Sequence, residues 1–168
     1  KFSFFLTPDR HYVGVAWYQK EIDVPQSYDG KHLTLFLERA HIETRLWIGN
    51  REIGMRNSLS VPHVYDVTGL APGRHTVTIR VDNRIKDIDV GLNSHSITDQ
   101  TQGNWNGIIG RMELQARDEV WLEDVQVYPN VTDKSATVKI ALKSLKRGNH
   151  TGNITLSAES FNSLNRHT

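Results

Sequence analysis

Apolar and polar residues alternate with a period of two through almost the whole chain. Leu33-Thr34-Leu35-Phe36-Leu37 places three leucines on one side, and Val77-Thr78-Ile79-Arg80-Val81 alternates strictly. Successive side chains of a strand point to opposite faces, so this pattern predicts half-buried strands. The same reading applies to Val138-Lys139-Ile140-Ala141-Leu142 and to Ile154-Thr155-Leu156. Strands are also predicted over 13–24, 42–48, 61–67, 108–115 and 121–128. No segment of 10 or more residues shows the 3.6-residue period of an amphipathic helix.

Turn signals separate these runs: Asp29-Gly30, Gly49-Asn50, Pro72-Gly73 and Gly148-Asn149. Gly49-Asn50, between Leu46-Trp47-Ile48 and Arg51-Glu52-Ile53, reads as a tight hairpin. Many short strands with regular turns predict an all-β fold, a sandwich or a barrel. One connection departs from the pattern. Residues 83–107 are dominated by Asp, Asn, Ser, Thr, Gln and Gly, and connections this long are uncommon unless functional or disordered. Its scattered apolar residues (Ile85, Ile88, Val90, Leu92, Ile97) predict a loop pinned to the body. A second change comes at the charged turn Arg117-Asp118-Glu119. Only 49 residues run from Val120 to Thr168, too few for a seven-stranded immunoglobulin-like sandwich of about 100 residues.

Composition narrows the function classes. The 168 residues are 38% hydrophobic and 23% charged with four tryptophans, which suits a globular domain with a core. A net charge of +1, with basic and acidic residues interspersed, offers no stripe for nucleic acid. No apolar run reaches the roughly 18 residues of a membrane span. Without cysteine there is no disulfide, thiol nucleophile or Cys-based zinc site. The chain starts at Lys1 with no signal region before Phe2, so it is expected to be a processed product or an excised piece.

The segment Asp99-Gln-Thr-Gln-Gly-Asn-Trp-Asn-Gly-Ile-Ile-Gly-Arg111 holds the most suggestive chemistry. Asp99, Gln100, Asn104 and Asn106 supply acceptors and donors for hydroxyls, Trp105 supplies a flat apolar face for a sugar ring, and His95, earlier in the same connection, could donate a hydrogen bond to a ligand. Glycines let the backbone come close. Each residue also has a structural role open to it. Asp99 suits a turn cap, Trp105 suits a plug at the end of the sandwich, and Arg111 suits an ion pair with an acidic residue of a neighbouring strand. Asp87-Ile88-Asp89 with Asn83 and Asp99 could ligate Ca²⁺ through oxygens, although a solvated acidic loop is the commoner arrangement. The eight histidines show no H-x-x-x-H spacing, so a zinc site is not expected, and no motif in the chain calls for a cofactor. Asn130-Val-Thr, Asn149-His-Thr and Asn153-Ile-Thr are glycosylation sequons, read here as polar strand edges.

Four pieces occur in order: Val15-Ala16-Trp17-Tyr18-Gln19-Lys20; Leu35-Phe36-Leu37-Glu38-Arg39-Ala40; Leu46-Trp47-Ile48-Gly49-Asn50-Arg51-Glu52-Ile53-Gly54; and Tyr65-Asp66-Val67-Thr68. Together with Asp99, Trp105, Gly107-Ile108 and Arg111 they resemble the N-terminal sugar-binding domain of glycoside hydrolase family 2. That is the β-galactosidase, β-glucuronidase and β-mannosidase group. The resemblance covers most of residues 12–116, and 121–128 is similar to the start of the family's immunoglobulin-like domain. Three departures stand out. Gly49-Asn50 replaces the usual Asn-Gly, Glu38-Arg39-Ala40 replaces Glu-Gly-Val, and residues 100–104 are extra between the aspartate and the tryptophan.

The resemblance implies a jelly-roll β-sandwich over 1–118 and a truncated immunoglobulin-like sandwich over 119–168. It also implies a parent enzyme that is a retaining β-glycosidase, whose two carboxylates flank the scissile bond about 5 Å apart on a separate (β/α)₈ barrel. This chain has neither an Asn-Glu pair nor the strand–helix alternation of a barrel. It is therefore expected to be non-catalytic, with Asp99 at the rim of the barrel's pocket and a terminal β-linked sugar and the barrel as partners. A free-standing carbohydrate-binding module, with Trp105 and Trp47 as stacking platforms, and a purely structural domain are the other readings. Val138, Ile140, Leu142, Ile154 and Leu156 lack an opposing sheet, so a homo-oligomer or poor order is expected there. A bacterial periplasmic or secreted location is expected.

Overall fold

The computed structural model describes residues 12–86, 91, 94, 105–159 and 166–167. Within them the alternating pattern becomes two facing sheets. The first has the order β1-β6-β3-β4, from Val15–Val24, Gly73–Asp82, Glu43–Ile48 and Arg51–Asn57. The second has the order β5-β2-β7, from His63–Asp66, His32–His41 and Gly107–Arg117. All pairings are antiparallel. The only helical element among the described residues is a 3₁₀ turn, Gln26–Tyr28.

The inward residues of each strand meet in one core. Leu33, Leu35 and Leu37 from β2 face Leu46 from β3 and Val77, Ile79 and Val81 from β6, closed by Tyr65 and Val67. The period-two reading of β2 and β6 therefore identified the buried face correctly. Gly49-Asn50 forms the tight turn between β3 and β4, as its position between two apolar runs predicts.

A buried polar chain crosses this core. Tyr65 O–H donates to the Thr44 carbonyl at 2.9 Å, and Thr44 Oγ1 lies 2.6 Å from His63 Nδ1. His63 Nε2 donates to the Ser58 carbonyl at 2.9 Å, so Nδ1 is left to accept from Thr44. Burial keeps the His63 imidazole below its ordinary pKa, against the raising effect of the Ser58 bond. The folded chain thus resists a proton that the unfolded chain takes up near pH 6.5, and stability falls as the pH drops below that value. The slope approaches about 1.4 kcal/mol per pH unit. Thermal midpoints measured between pH 7.5 and 5.5 are expected to fall in the wild type and to fall less steeply in His63→Gln.

After β7 the chain forms a separate hairpin, β8 (Val120–Asn130) with β9 (Ser135–Ser144). A bulge at Glu123 shifts the register between Leu122 and Asp124, which returns Val125 and Val127 to the same face as Leu122. Their partners are Ile140, Val138 and Leu142. Leu122, Val125, Val127 and Leu142 are exposed. The expected strand over 154–156 does not form: residues 151–157 have no regular structure, and Ile154 and Leu156 are exposed. An extended segment becomes a strand only with a ladder partner, and none adjoins it among the described residues. The short β10 (Ala158–Glu159) and β11 (Arg166–His167) pair instead.

Candidate functional site

The topology gathers five strand ends at one end of the sandwich. β1 begins there at Val15, β3 at Glu43 and β7 at Gly107, while β2 ends there at His41 and β6 at Asp82. The polar connection 83–107 leaves from this end and returns to it. Its two roots are tied together, since Asn83 Nδ2 donates to Asn106 Oδ1 at 2.8 Å and to the Tyr12 carbonyl at 2.7 Å. Gly14 N–H donates to Asn83 Oδ1 at 2.7 Å. His41 Nδ1 lies 3.3 Å from Asn106 Oδ1, and Trp105 meets the His41 ring edge-on at a centroid distance of 5.3 Å. Around these groups lies a cleft of about 110 Å³, also lined by Tyr18.

Gly107 makes this close approach possible. Its φ is +78°, and a Cβ there would stand 2.5 Å from the Tyr18 hydroxyl oxygen. Only glycine fits both the backbone conformation and the contact. Three residues on, Gly110 at φ +79° forms a bulge opposite Glu38. The bulge turns the Arg111 N–H and Nε toward Glu38 Oε2, at 2.9 and 3.1 Å. The backbone N–H bond, then the guanidinium bond, holds the Glu38 carboxyl below its usual range. The ion-pair role expected for Arg111 is the one observed.

An ionic cluster braces the same end. The Asp82 carboxylate is fully buried and receives Arg84 Nε and Nη2 at 2.9 and 2.7 Å, Lys86 Nζ at 2.8 Å and Arg80 Nη2 at 2.8 Å. Glu43 accepts from Arg80 at 2.8 Å and Lys86 at 2.9 Å. The Arg84 bonds hold Asp82 far below the carboxylate range. Burial raises Glu43, but Lys86 and Arg80 outweigh it and keep it low. Both carboxylates stay ionised at neutral pH, so neither serves as a general acid. The cluster instead fixes the first residues of the connection, including the Arg84 N–H on Asp82 Oδ1 at 3.1 Å.

Of the residues singled out for sugar contact, Trp105 and Asn106 are described: Trp105 stands half-buried against His41, and Asn106 Oδ1 is turned to Asn83 and His41. His95, Asp99, Gln100 and Asn104 lie outside the described residues, as do Asp87 and Asp89. Among the described residues no group of three His, Cys, Asp or Glu side chains could hold a metal ion. Tyr12, Tyr18 and His41 were not singled out by sequence reasoning. The available signal was the connection itself: whatever it carries must be held by the residues at its roots.

The two-sheet sandwich is similar in fold to the N-terminal part of β-glucuronidases, which resemble this chain in sequence as well. The Paenibacillus borealis β-glucuronidase is 24% identical over 150 residues, covering 80% of this chain and 25% of the relative. An uncultured Clostridium sp. β-glucuronidase superposes with a TM-score of 0.63 at 22% identity, over 79% of this chain and 25% of the other. The Ruminococcus gnavus enzyme in complex with D-glucuronic acid gives 0.64 at 18% identity, over 81% and 26%. The chain thus spans about a quarter of the length of the relatives it matches. No family model matches it.

Proposed function

We propose that this chain is the substrate-flanking, non-catalytic sandwich of a retaining β-glycosidase. The connection 83–107 forms one wall of a pocket whose carboxylates sit on a barrel elsewhere in the polypeptide. A terminal β-linked sugar fills that pocket, and a β-glucuronide is the first substrate class to test, given the relatives. Residues 1–118 and 119–168 act as separate units in this reading, and the protein is exported from a bacterial cell.

The observation that carries the proposal is the double anchoring of the connection. Asn83 and Asn106 close its roots, and the Asp82 cluster fixes its first residues. A wall that positions substrate needs such fixed roots, because small displacements at a reacting centre cost large factors in rate. Asp99 is the residue to test, in the longer protein that carries the barrel. Asp99→Ala is expected to lower kcat/KM on 4-nitrophenyl β-glucuronide by about ten-fold or more, with an unchanged thermal midpoint. Wild-type kinetics in that variant would leave the chain a support domain only.

A further inference from the structure

The outer face of the four-stranded sheet carries a second aromatic feature. Trp17 on β1 is in register with Arg80, and Trp47 on β3 with Thr78. Val77, Ile79 and Val81 of β6 are buried, so Thr78 and Arg80 point outward and both tryptophans project from that outer face. The indole centroids are 5.4 Å apart with the planes tilted by 36°. Trp17 is 61% exposed, and Trp47 is half-buried. Polar groups frame the pair. Gln19 Nε2 donates to Thr78 Oγ1 at 3.1 Å, Arg45 pairs with Glu52 at 2.9 Å, and Arg80 pairs with Glu43 at 2.8 Å.

We propose that this face is a carbohydrate-binding platform, distinct from the loop-end cleft, that takes a soluble, uncharged β-linked oligosaccharide. An exposed indole is a large apolar plane left in water, and the C–H face of a pyranose matches it in shape and polarity. Trp47 packs against Trp17 and limits its rotamers, so little ordering remains for a ligand to impose. Gln19 and Thr78 stand beside the rings as amide and hydroxyl partners for sugar hydroxyls.

Two observations decide the class of ligand. A protein partner of ordinary affinity needs about 800 Å² per side, with a core depleted of charge. Here the apolar area is the two rings and Met55, which is paired with Arg45 on the same face, set among Gln19, Arg45, Glu52, Arg80 and Glu43, so it is small and charged at its margin. The guanidiniums of Arg45 and Arg80 are already matched by carboxylates, so the face offers no surplus charge for a polyanion. The tilt between the rings keeps them from lying together on a flat crystalline surface and suits a single chain that turns from unit to unit.

The test is calorimetric or fluorescence titration of the full chain with cellohexaose and with laminarihexaose. Saturable binding of one of them is expected. It should weaken at least about ten-fold in Trp17→Ala, a loss of about 1.4 kcal/mol, with an unchanged thermal midpoint because Trp17 is exposed. Trp105→Ala and Asp99→Ala should bind as wild type, so failure of the pocket-wall reading leaves this result intact. The proposal is overturned by no binding of either sugar, by wild-type affinity in Trp17→Ala, or by loss of binding in Trp105→Ala alone. Trp17 shielded from acrylamide quenching in the longer protein, where neither sugar binds, would assign the face to domain packing and overturn it as well.

Discussion

Asp82→Ala is expected to destabilise the sandwich by about 3 kcal/mol, lowering the thermal midpoint by roughly 10 °C. The side chain is fully buried and is the shared acceptor for Arg80, Arg84 and Lys86. Removing it leaves three cations facing a cavity with only Glu43 to answer them. Arg84 and Lys86 are themselves half-exposed, so water relieves part of the penalty and holds the loss at the lower end for a broken buried pair. Asp82→Asn tests charge against shape, since an amide fills the space without neutralising the cations and should recover little. Calorimetric melts of both variants check this. In the longer protein Asp82→Ala is also expected to lower kcat/KM, because the connection loses the acceptor for its Arg84 N–H.

Leu46→Ala is expected to cost a similar amount, about 2–5 kcal/mol, by a different route. Leu46 is fully buried on β3, which lies between β6 and β4 in the four-stranded sheet. Strands on both sides hold the backbone in place, so the core cannot collapse into the space left by the deleted methyls, and the cavity term stays large. Urea melts should show a lower midpoint with an unchanged slope. The neighbouring outward residue Trp47 is much larger yet half-exposed, so side-chain size alone does not rank these positions. Burial does.

Much of the fold was legible along the chain because strands write their faces as alternation. Leu33, Leu35 and Leu37, and Val77, Ile79 and Val81, were readable as inward rows before any pairing was known, and Gly49-Asn50 marked its hairpin. The alternation at 154–156 misled, because a period of two shows what a segment could bury, not whether a partner strand lies beside it. The β8 bulge at Glu123 was likewise hidden: Leu122 and Val125 are out of phase in sequence, and only the shifted register puts them on one face. The ordered set of family-like pieces pointed to the group that includes the β-glucuronidases to which the chain is similar at 16–24% identity.

The candidate site divides the same way. The amino-acid sequence alone determined that a long polar connection interrupts an all-β chain, and that it carries residue types suited to sugar hydroxyls. It determined this because composition and period are properties of neighbours along the chain. Only the tertiary structure decided that Asn83 meets Asn106, that Tyr18 closes over Gly107, and that Glu43, Arg80, Asp82, Arg84 and Lys86 form one cluster. It also decided that Trp17 and Trp47 share an outer face. Those residues lie on, or just beyond the ends of, strands whose order in the sheets differs from their order in the chain, and their contacts come into being only when the sandwich closes.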